Sequence, residues 1–322
     1  MRKILLTNYY AADPLECIKR LVPEGFELIA LSASCQEEVV HKAESADYLL
    51  AGGSIRINEE VLNAAPKLKM IHRSGVGLDS LDLKAIRSRG IPLYVNEGVN
   101  ARSVAEHTLT LMLGTLRNIA MVNSMMHNGE WLRHDLGIRS HSLLNKQVGL
   151  VGMGNVASTV AGMLKGLGVS TVYTNPKRIR AEKEKILNVH FLPLSELLQS
   201  SDIVSLHCPL KDNTKHLISN NELAKMKSGA ILINTARGGL IDEDALIESL
   251  KSGRLTGAGL DVFEHEPLPI NHPLRIIDNV LLTPHIGSIT AESFVNILIN
   301  SFKNIVLFDQ QNYEQIMATR VV

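Results

Sequence analysis

The sequence is poor in cysteine, in net charge and in long hydrophobic runs, and each shortage excludes a class of protein. Its 322 residues include three cysteines, Cys17, Cys35 and Cys208, which form neither a paired framework nor a CxxC site and therefore predict no disulfide scaffold and no metal centre. Lys plus Arg and Asp plus Glu number 33 each, and such a balanced chain lacks the basic footprint of proteins that bind nucleic acid or membranes. The N-terminal apolar run, residues 4–6, is far shorter than the ~7–15 residues of a signal core or the ~20 of a membrane span. We therefore expect a cytoplasmic protein without a nucleic-acid or membrane partner.

Short β-prone runs alternate with longer helix-like stretches along the whole chain. One series of predicted strands lies at 3–6, 26–30, 48–51, 70–72 and 92–95, and a second lies at 148–151, 171–174, 203–206, 230–234, 257–260 and 280–282. Strands rich in Val, Ile and Leu and separated by helices predict buried parallel sheets built from βαβ units. The length also suits two domains. The sequence therefore predicts an α/β fold with two doubly wound lobes.

A long helix is predicted from residue 101 to about residue 126. Apolar residues recur at helical spacing between 109 and 116, as expected for a buried face. Ser103 and Glu106 have the S-x-x-E spacing of a capping box, which predicts that the helix begins there. The preceding segment, 96–100, has the composition of a turn, so we expect a boundary between lobes near residue 100.

A glycine-rich turn follows the strand at 148–151 and opens a helix predicted at 158–167. Its pattern is Gly152-x-Gly154-x-x-Ala157. The first glycine permits a tight turn, the second lets backbone approach a pyrophosphate, and the small third residue allows close helix–strand packing. The N-terminus of the helix offers N–H groups and a positive dipole end to phosphates. This arrangement predicts a dinucleotide-binding site.

The end of the next strand bears on which nicotinamide cofactor binds. An acid about 20 residues after the glycines would bind the ribose 2′-hydroxyl of NAD and repel a 2′-phosphate. This sequence has Asn175 there, followed by Lys177, Arg178 and Arg180, with no carboxylate before Glu182. A neutral side chain flanked by cations favours NADP, with contacts from Asn175, Lys177 and Arg178. The alternative is a solvated basic loop that tolerates NAD.

Several ordered motifs together resemble the D-2-hydroxyacid dehydrogenase family over nearly the whole chain. Besides the glycine loop they are RSGVGLD at 73–79, SVAEHT at 103–108, LHCPL at 206–210, NTARG at 234–238, LDVF at 260–263 with EP at 266–267, and TPHIG at 283–287. The resemblance implies a Rossmann cofactor lobe, residues 100–287, inserted into a flavodoxin-like substrate lobe, residues 1–99 and 288–322. It also implies a homodimer.

The resemblance further implies a chemistry: hydride transfer between NAD(P)H and a small 2-keto acid to give a D-2-hydroxy acid, or the reverse reaction. The Arg matching Arg237 grips the substrate's carboxylate and carbonyl oxygen, which suits the planar fork of a guanidinium. The His matching His285 transfers the proton as general acid or base, and the acid matching Glu266 orients that imidazole.

Other positions of this sequence match the family's binding residues. Asn155 and Val156 are expected at the pyrophosphate. The cofactor pocket is implied to be lined by His207, Cys208, Pro209, Thr214, Thr235, Ala236, Arg237, Asp261, His285 and Gly287. Backbone amides at Gly75, Val76 and Gly77 are implied to bind the substrate carboxylate, with Ser54 opposite. Cys208 is interpreted as a pocket wall; a nucleophilic role is the alternative, but no base is matched to it.

The identity of the substrate remains open at this point. Arg56, Arg73 and Arg102 could hold a second anionic group such as a phosphate, or they could pair with acids on the surface. The stretch 73–82 looks closest to phosphoglycerate dehydrogenases. Glyoxylate, hydroxypyruvate and other small 2-keto acids nevertheless stay open as substrates. The physiological direction is also undecided. A different class of function is a dinucleotide-sensing, corepressor-like binding protein of the same fold.

Overall fold

The computed structural model describes residues 1–131, 133–134 and 136–322. The chain divides into two compact units, one formed by Met1–Asn100 with Thr290–Val322 and the other by Ala101–Ile289. The second unit is thus inserted, in chain order, between the two segments of the first. Within the described residues, none of the helices combines the length and apolarity needed to cross a bilayer.

The strands follow the apolar runs of the sequence. They are β1 (Arg2–Leu6), β2 (Phe26–Ile29), β3 (Tyr48–Ala51), β4 (Met70–Arg73), β5 (Leu93–Val95), β6 (Gln147–Val151), β7 (Ser170–Thr174), β8 (Val189–Phe191), β9 (Ile203–Leu206), β10 (Ala230–Asn234), β11 (Leu255–Leu260) and β12 (Val280–Leu282).

Helices connect the strands. They are α1 (Ala12–Leu21), α2 (Gln36–Ala43), α3 (Glu59–Asn63), α4 (Leu83–Ser88), α5 (Ala101–Leu116), α6 (Ile119–His127), α7 (Asn155–Gly166), α8 (Ala181–Leu187), α9 (Leu194–Ser200), α10 (Asn220–Lys225), α11 (Glu243–Lys251) and α12 (Ala291–Asp309). Several begin at a side chain that accepts a backbone N–H of the first turn, as Asn58 does for α3, Asp82 for α4 and Asp242 for α11. Such caps satisfy amides that have no acceptor inside the helix.

The first unit contains a five-stranded parallel sheet in the order β2-β1-β3-β4-β5, which is the flavodoxin-like order. Every residue of β3 is buried, because both faces of the sheet are covered. On one face α12 contributes Leu298, Phe302 and Ile305 to a cluster that also contains Ile4 and Tyr48.

The second unit contains a seven-stranded sheet in the order β12-β11-β10-β9-β6-β7-β8, again parallel throughout. Counted within this unit, the order is the 3-2-1-4-5-6 order of the Rossmann fold with one further strand. Every residue of β10 is buried, since apolar clusters cover both faces of the sheet. The predicted α/β class, with two doubly wound parallel sheets, is confirmed.

The helix predicted at 158–167 begins three residues earlier, and the prediction of the long helix is wrong in two details. The long helix is divided into α5 and α6, and Asn118 between them has a left-handed backbone with a φ of 53°, which asparagine adopts more readily than most residues. The predicted start at residue 101 is confirmed, but the capping box is wrong, because a helix that begins at Ala101 cannot be capped by Ser103. Ala and Arg at the start are strong helix formers, and Arg102 pairs with Glu106 one turn on. Ser103 therefore lies inside the first turn.

Candidate active site

Three of the predicted motifs meet at one edge of the sheet in the second unit. Strands β10, β11 and β12 are parallel neighbours, so their carboxyl ends lie side by side. Arg237 follows β10, Asp261 follows β11 and His285 follows β12. Open α/β sheets bind ligands at the carboxyl ends of their strands, and this edge is the candidate active site of the unit.

His285 and Glu266 form a titratable pair at this edge. Nδ1 of His285 lies 2.6 Å from Oε2 of Glu266, and the amide of Phe263 donates to the other carboxylate oxygen at 3.0 Å. The side chains of His285 and Glu266 are 48% and 35% exposed, so a small molecule can reach the ring. Because Nδ1 is bonded to the carboxylate, Nε2 is the atom that can exchange a proton with a substrate.

The electrostatics of the pair favour an imidazolium beside a carboxylate. The hydrogen bond to Glu266 raises the pKa of His285 above its ordinary value, outweighing burial and the charge of Arg237, which lower it. Burial alone would raise the pKa of Glu266, but the hydrogen bonds from His285 and Phe263, with the nearby positive charges, lower it overall. Each partner therefore stabilises the charged form of the other.

Asp261 fixes the turn that carries His285. Its carboxylate accepts the Thr283 hydroxyl at 2.6 Å and the amides of Ile286 and Gly287 at 2.9 and 2.8 Å. Its carbonyl accepts the amide of His285 at 2.8 Å. Burial alone would raise the pKa of Asp261, but the hydrogen bond with His107, followed by those with Thr283 and the two amides, holds it below its ordinary value. The hydrogen bonds of Asp261 also hold His285 in a left-handed conformation with a φ of 55°, which costs free energy and persists only where the surroundings impose it.

A buried asparagine shapes the turn that carries Arg237. The Asn234 side chain donates to the Arg237 carbonyl at 2.8 Å and accepts the Ala236 amide at 3.0 Å. The next residue, Gly238, packs so closely against Phe263 that a Cβ would lie 1.8 Å from the Phe263 carbonyl carbon. The positive charge of Arg237 acts on both Glu266 and His285. Arg237, Glu266 and His285 are thus brought together.

The glycine turn has the geometry of a pyrophosphate cradle. Gly152 has a φ of 103°, and a Cβ there would lie 2.8 Å from the His207 carbonyl, so only glycine fits. A Cβ on Gly154 would meet no protein atom within 4 Å, which leaves space directly in front of α7. Asn155 and Val156 open that helix, whose first-turn amides point toward this space. The donor set fits the pyrophosphate of a dinucleotide.

Asn175 joins the basic loop to the glycine turn. Its Oδ1 accepts the Met153 amide at 3.3 Å, and its Nδ2 donates to the Lys177 carbonyl at 2.8 Å. Lys177 and Arg180 are exposed. The loop that would meet the adenosine ribose is therefore held against the glycine turn by a neutral side chain.

Arg178 is matched by an acid that the sequence analysis did not identify. Its guanidinium donates to both carboxylate oxygens of Glu184, at 2.8 and 2.9 Å. The Tyr173 hydroxyl donates to the same carboxylate at 2.5 Å, and the guanidinium lies over the ring of Phe191. The bond with Arg178, followed by that with Tyr173, lowers the pKa of Glu184 to about 2. The positive charge of Arg178 is thus balanced locally.

The segment after β9 supplies further predicted pocket residues. Burial lowers the pKa of His207 to about 4 and raises the pKa of the Cys208 thiol to about 11, so His207 is neutral and Cys208 is a protonated thiol with little nucleophilic character. The Thr214 hydroxyl donates to the Pro209 carbonyl at 2.8 Å and closes this turn. Across the edge, the hydroxyls of Thr235 and Thr108 are 2.8 Å apart.

The first unit carries the loops predicted to bind the substrate carboxylate. Ser54 follows β3 and Gly75–Gly77 follow β4, and these strands are neighbours. Val76 is exposed at the loop. Arg73 donates to the Gly77 carbonyl at 2.7 Å and to the Ala51 carbonyl at 3.0 Å. This guanidinium therefore ties the two loops together.

Sequence reasoning assigned no role to several residues that build the site. Asn234 and His107 lie inside quoted motifs, and His107 reaches the Thr283 hydroxyl at 2.9 Å. Glu243, at the start of α11, accepts the Glu264 amide at 2.8 Å. The available signal was a polar residue directly after an apolar strand or a helix cap. In the part of the chain that the structure describes, no group of three His, Cys, Asp or Glu side chains is placed to hold a metal ion.

Comparison with known proteins gives consistent matches. A family model described as D-isomer specific 2-hydroxyacid dehydrogenase, NAD binding domain, matches residues 109–287. A glyoxylate reductase of Thermofilum pendens is 39% identical over 298 residues, which cover 88% of this chain and 87% of that protein. A hydroxypyruvate reductase of Thermotoga maritima is 38% identical over 260 residues, 80% of this chain and 83% of that one.

A solved structure has the same fold over the whole chain. It is a D-lactate dehydrogenase from Aquifex aeolicus complexed with NAD and lactic acid, which is 28% identical, has a TM-score of 0.83, and is matched over 100% of this chain and 99% of its own.

Proposed function

The chain belongs to the D-isomer specific 2-hydroxyacid dehydrogenase family, and from this premise we propose that it interconverts a small 2-keto acid and the corresponding D-2-hydroxy acid with a nicotinamide dinucleotide. The observation that carries the proposal is the bond of 2.6 Å between His285 and Glu266. This pair lies at the same sheet edge as Arg237 and supports an acid–base role for His285. The glycine turn after β6 opens on that edge too, and it supplies the cradle for the dinucleotide.

A nicotinamide dinucleotide held at the glycine turn would supply the hydride for reduction of the keto carbon. Nε2 of His285 donates the proton that the carbonyl oxygen then needs, and in the oxidation the same atom accepts the hydroxyl proton. Glu266 keeps Nδ1 hydrogen-bonded, which fixes the ring and stabilises the imidazolium. A positioned general acid of this kind contributes ~10²–10⁴-fold in rate.

Arg237 has the chemistry to hold the substrate. Its guanidinium offers parallel N–H donors to a carboxylate and remains charged at every relevant pH. A donor directed at the carbonyl oxygen also stabilises the negative charge that develops there as hydride arrives. We also propose that residues 100–287 form the cofactor lobe and that residues 1–99 and 288–322 form the substrate lobe, whose own candidates for carboxylate binding are Ser54 and Gly75–Gly77.

We propose NADP as the preferred cofactor, with NAD as the alternative. The support is the neutral Asn175 at the position of the usual acid, beside the exposed cations Lys177 and Arg180. Arg178 strengthens this preference less than its charge suggests, because Glu184 already binds it at 2.8 Å.

We propose glyoxylate or hydroxypyruvate, rather than a phosphorylated acid, as the substrate. Two of the arginines considered for a phosphate are engaged elsewhere: Arg73 with backbone carbonyls of its own loops, and Arg102 with Glu106. The names of the relatives from Thermofilum pendens and Thermotoga maritima point to the same small acids. A homodimer in the cytoplasm completes the proposal; light scattering of the purified protein should give twice 35.3 kDa.

The test is initial-rate oxidation of NADPH and NADH with glyoxylate, pyruvate, hydroxypyruvate and phosphohydroxypyruvate. We expect turnover with glyoxylate or hydroxypyruvate and a preference for NADPH. A preference for NADH would retain the enzyme and refute the cofactor assignment. Dinucleotide binding without turnover of any acid would contradict the enzymatic proposal and favour the dinucleotide-sensing role.

A further inference from the structure

Two successive peptide groups after β11 connect the parts of the candidate active site. The amide of Phe263 donates to Glu266 at 3.0 Å, and the adjoining amide of Glu264 donates to Glu243 at 2.8 Å. The peptide between Phe263 and Glu264 also packs against Gly238, where a Cβ would lie 1.8 Å from the Phe263 carbonyl carbon and 2.3 Å from the Glu264 nitrogen. The peptide between Phe263 and Glu264 therefore packs against the turn that carries Arg237. The preceding peptide, through the Phe263 amide, binds Glu266, the partner of His285.

Glu243, in the same unit, holds this peptide by accepting the Glu264 amide. It lies at the start of α11, which is capped by Asp242, and only 8% of it is exposed. Its second carboxylate oxygen lies 3.3 Å from Nε2 of His272. His272 in turn accepts the Leu274 amide at Nδ1, which leaves Nε2 as the ring's N–H donor toward Glu243.

A carboxylate in this position would be costly to bury without donors, and the donors explain why it is there. Burial raises the pKa of Glu243, while the hydrogen bond from the Glu264 amide opposes the rise. Its two oxygens are each directed at one donor of the segment 264–272, at both ends of the loop that contains Glu266. The loop that contains Glu266 is thus fixed to α11 at both of its ends.

We propose that Glu243 is a positioning residue for the catalytic pair: by holding the Glu264 amide it keeps the Phe263 amide and Glu266 aligned with His285. The proposal rests on the proposed function for its kinetic consequence, but its structural part concerns only the state of His285. A carboxylate displaced from its bond with Nδ1 would raise the pKa of His285 less, and the fraction of protonated His285 at neutral pH would fall.

The decisive variant is Glu243→Asp, which keeps the charge but withdraws the carboxylate by about 1.5 Å, the length of one carbon–carbon bond. Titration of the His285 ring, followed by NMR with labelled histidine, should show a lower pKa than in the wild type. For the reduction we expect kcat to fall roughly tenfold or more, the alkaline limb of the pH profile to move to lower pH, and the KM for the dinucleotide to stay unchanged. Glu248→Asp, on the same helix and 75% exposed, is the matched control.

Glu243→Gln keeps the hydrogen bond on which the proposal rests, because its amide oxygen can still accept from Glu264, and gives up only the contact with Nε2 of His272 together with the charge. We expect His285 in this variant to titrate as in the wild type. Wild-type titration of His285 in Glu243→Asp, accompanied only by a lower melting temperature, would overturn the proposal. A displaced titration in Glu243→Gln would also overturn it, and this variant provides the test if Glu243→Asp does not fold. If the wild type reduced none of the acids, the proposed function would fail while the titration still decided the role of Glu243.

Discussion

Replacement of Asp261 by asparagine tests whether the turn that carries His285 depends on a buried charge. Asp261 is 1% exposed, and its carboxylate accepts one hydroxyl and two amides at 2.6–2.9 Å. Asparagine fits the same space and can keep its oxygen toward Thr283 and Ile286. Its NH₂ group then faces the amide of Gly287, so two donors oppose each other.

The size of the effect follows from these contacts. A buried amide left without an acceptor costs about 1–3 kcal/mol, and each remaining bond loses about 1 kcal/mol when its acceptor becomes neutral. Asp261→Asn should therefore lower the free energy of unfolding by roughly 4 kcal/mol. For a unit of this size, 1 kcal/mol corresponds to about 2–4 °C in melting temperature, so calorimetry should show the transition of the second unit lowered by roughly 10 °C.

The pH dependence of this difference has a definite sign. The pKa of Asp261 is lowered from its ordinary value of 3.8, so its contribution to stability is present above that value and is lost as pH falls through the pKa of the folded state. The difference in melting temperature between the wild type and Asp261→Asn should therefore be largest near neutral pH and should become smaller below about pH 4. Asp278→Asn, an exposed residue of the same unit, should change the melting temperature by less than about 2 °C. A similarly small change for Asp261→Asn at pH 7 would refute the reasoning.

Three further substitutions have expected outcomes. Glu266→Gln removes the charged hydrogen-bond partner that raises the pKa of His285. Since the proposed reduction uses protonated His285, the rate of reduction should begin to fall at a lower pH than in the wild type. An unchanged pH–rate profile would contradict this. Glu184→Gln removes the negative charge beside Arg178 and should raise kcat/KM for NADPH roughly threefold relative to NADH, whereas equal changes for both cofactors would argue against it. Gly238→Ala forces a Cβ into the neighbouring peptide and should lower kcat at least tenfold; wild-type turnover would show that the contact is relieved without consequence.

Much of the fold could be predicted because most of the strands are buried on both faces. A run such as residues 230–234 contains four apolar residues before its asparagine, and such a run has few alternatives in a βαβ context. Strand β8 was missed because it is only three residues long and carries an exposed His190. The break at Asn118 was also missed, since the apolar pattern continues past it and a single left-handed residue leaves no periodic signal.

The residues of the candidate site likewise fall into those that could be predicted from the sequence and those that could not. Arg237, Glu266 and His285 could be singled out because each stands in a recognisable motif after a predicted strand. The supporting residues could not, because their partners are set by tertiary geometry. Glu243 meets an amide 21 positions away in the chain, and Glu184 meets Arg178 only through the path of the loop between them. Spacing alone does not encode such contacts.

The measurement that tests the central claim most directly is the reduction of glyoxylate or hydroxypyruvate by His285→Gln, compared with the wild type at pH 7. Dinucleotide binding is measured on the same samples by fluorescence. If His285 supplies the proton, kcat should fall by at least ~10²-fold while the affinity for the dinucleotide stays within about twofold of the wild type. Turnover near the wild-type rate with intact binding would contradict the assignment of His285 as the general acid.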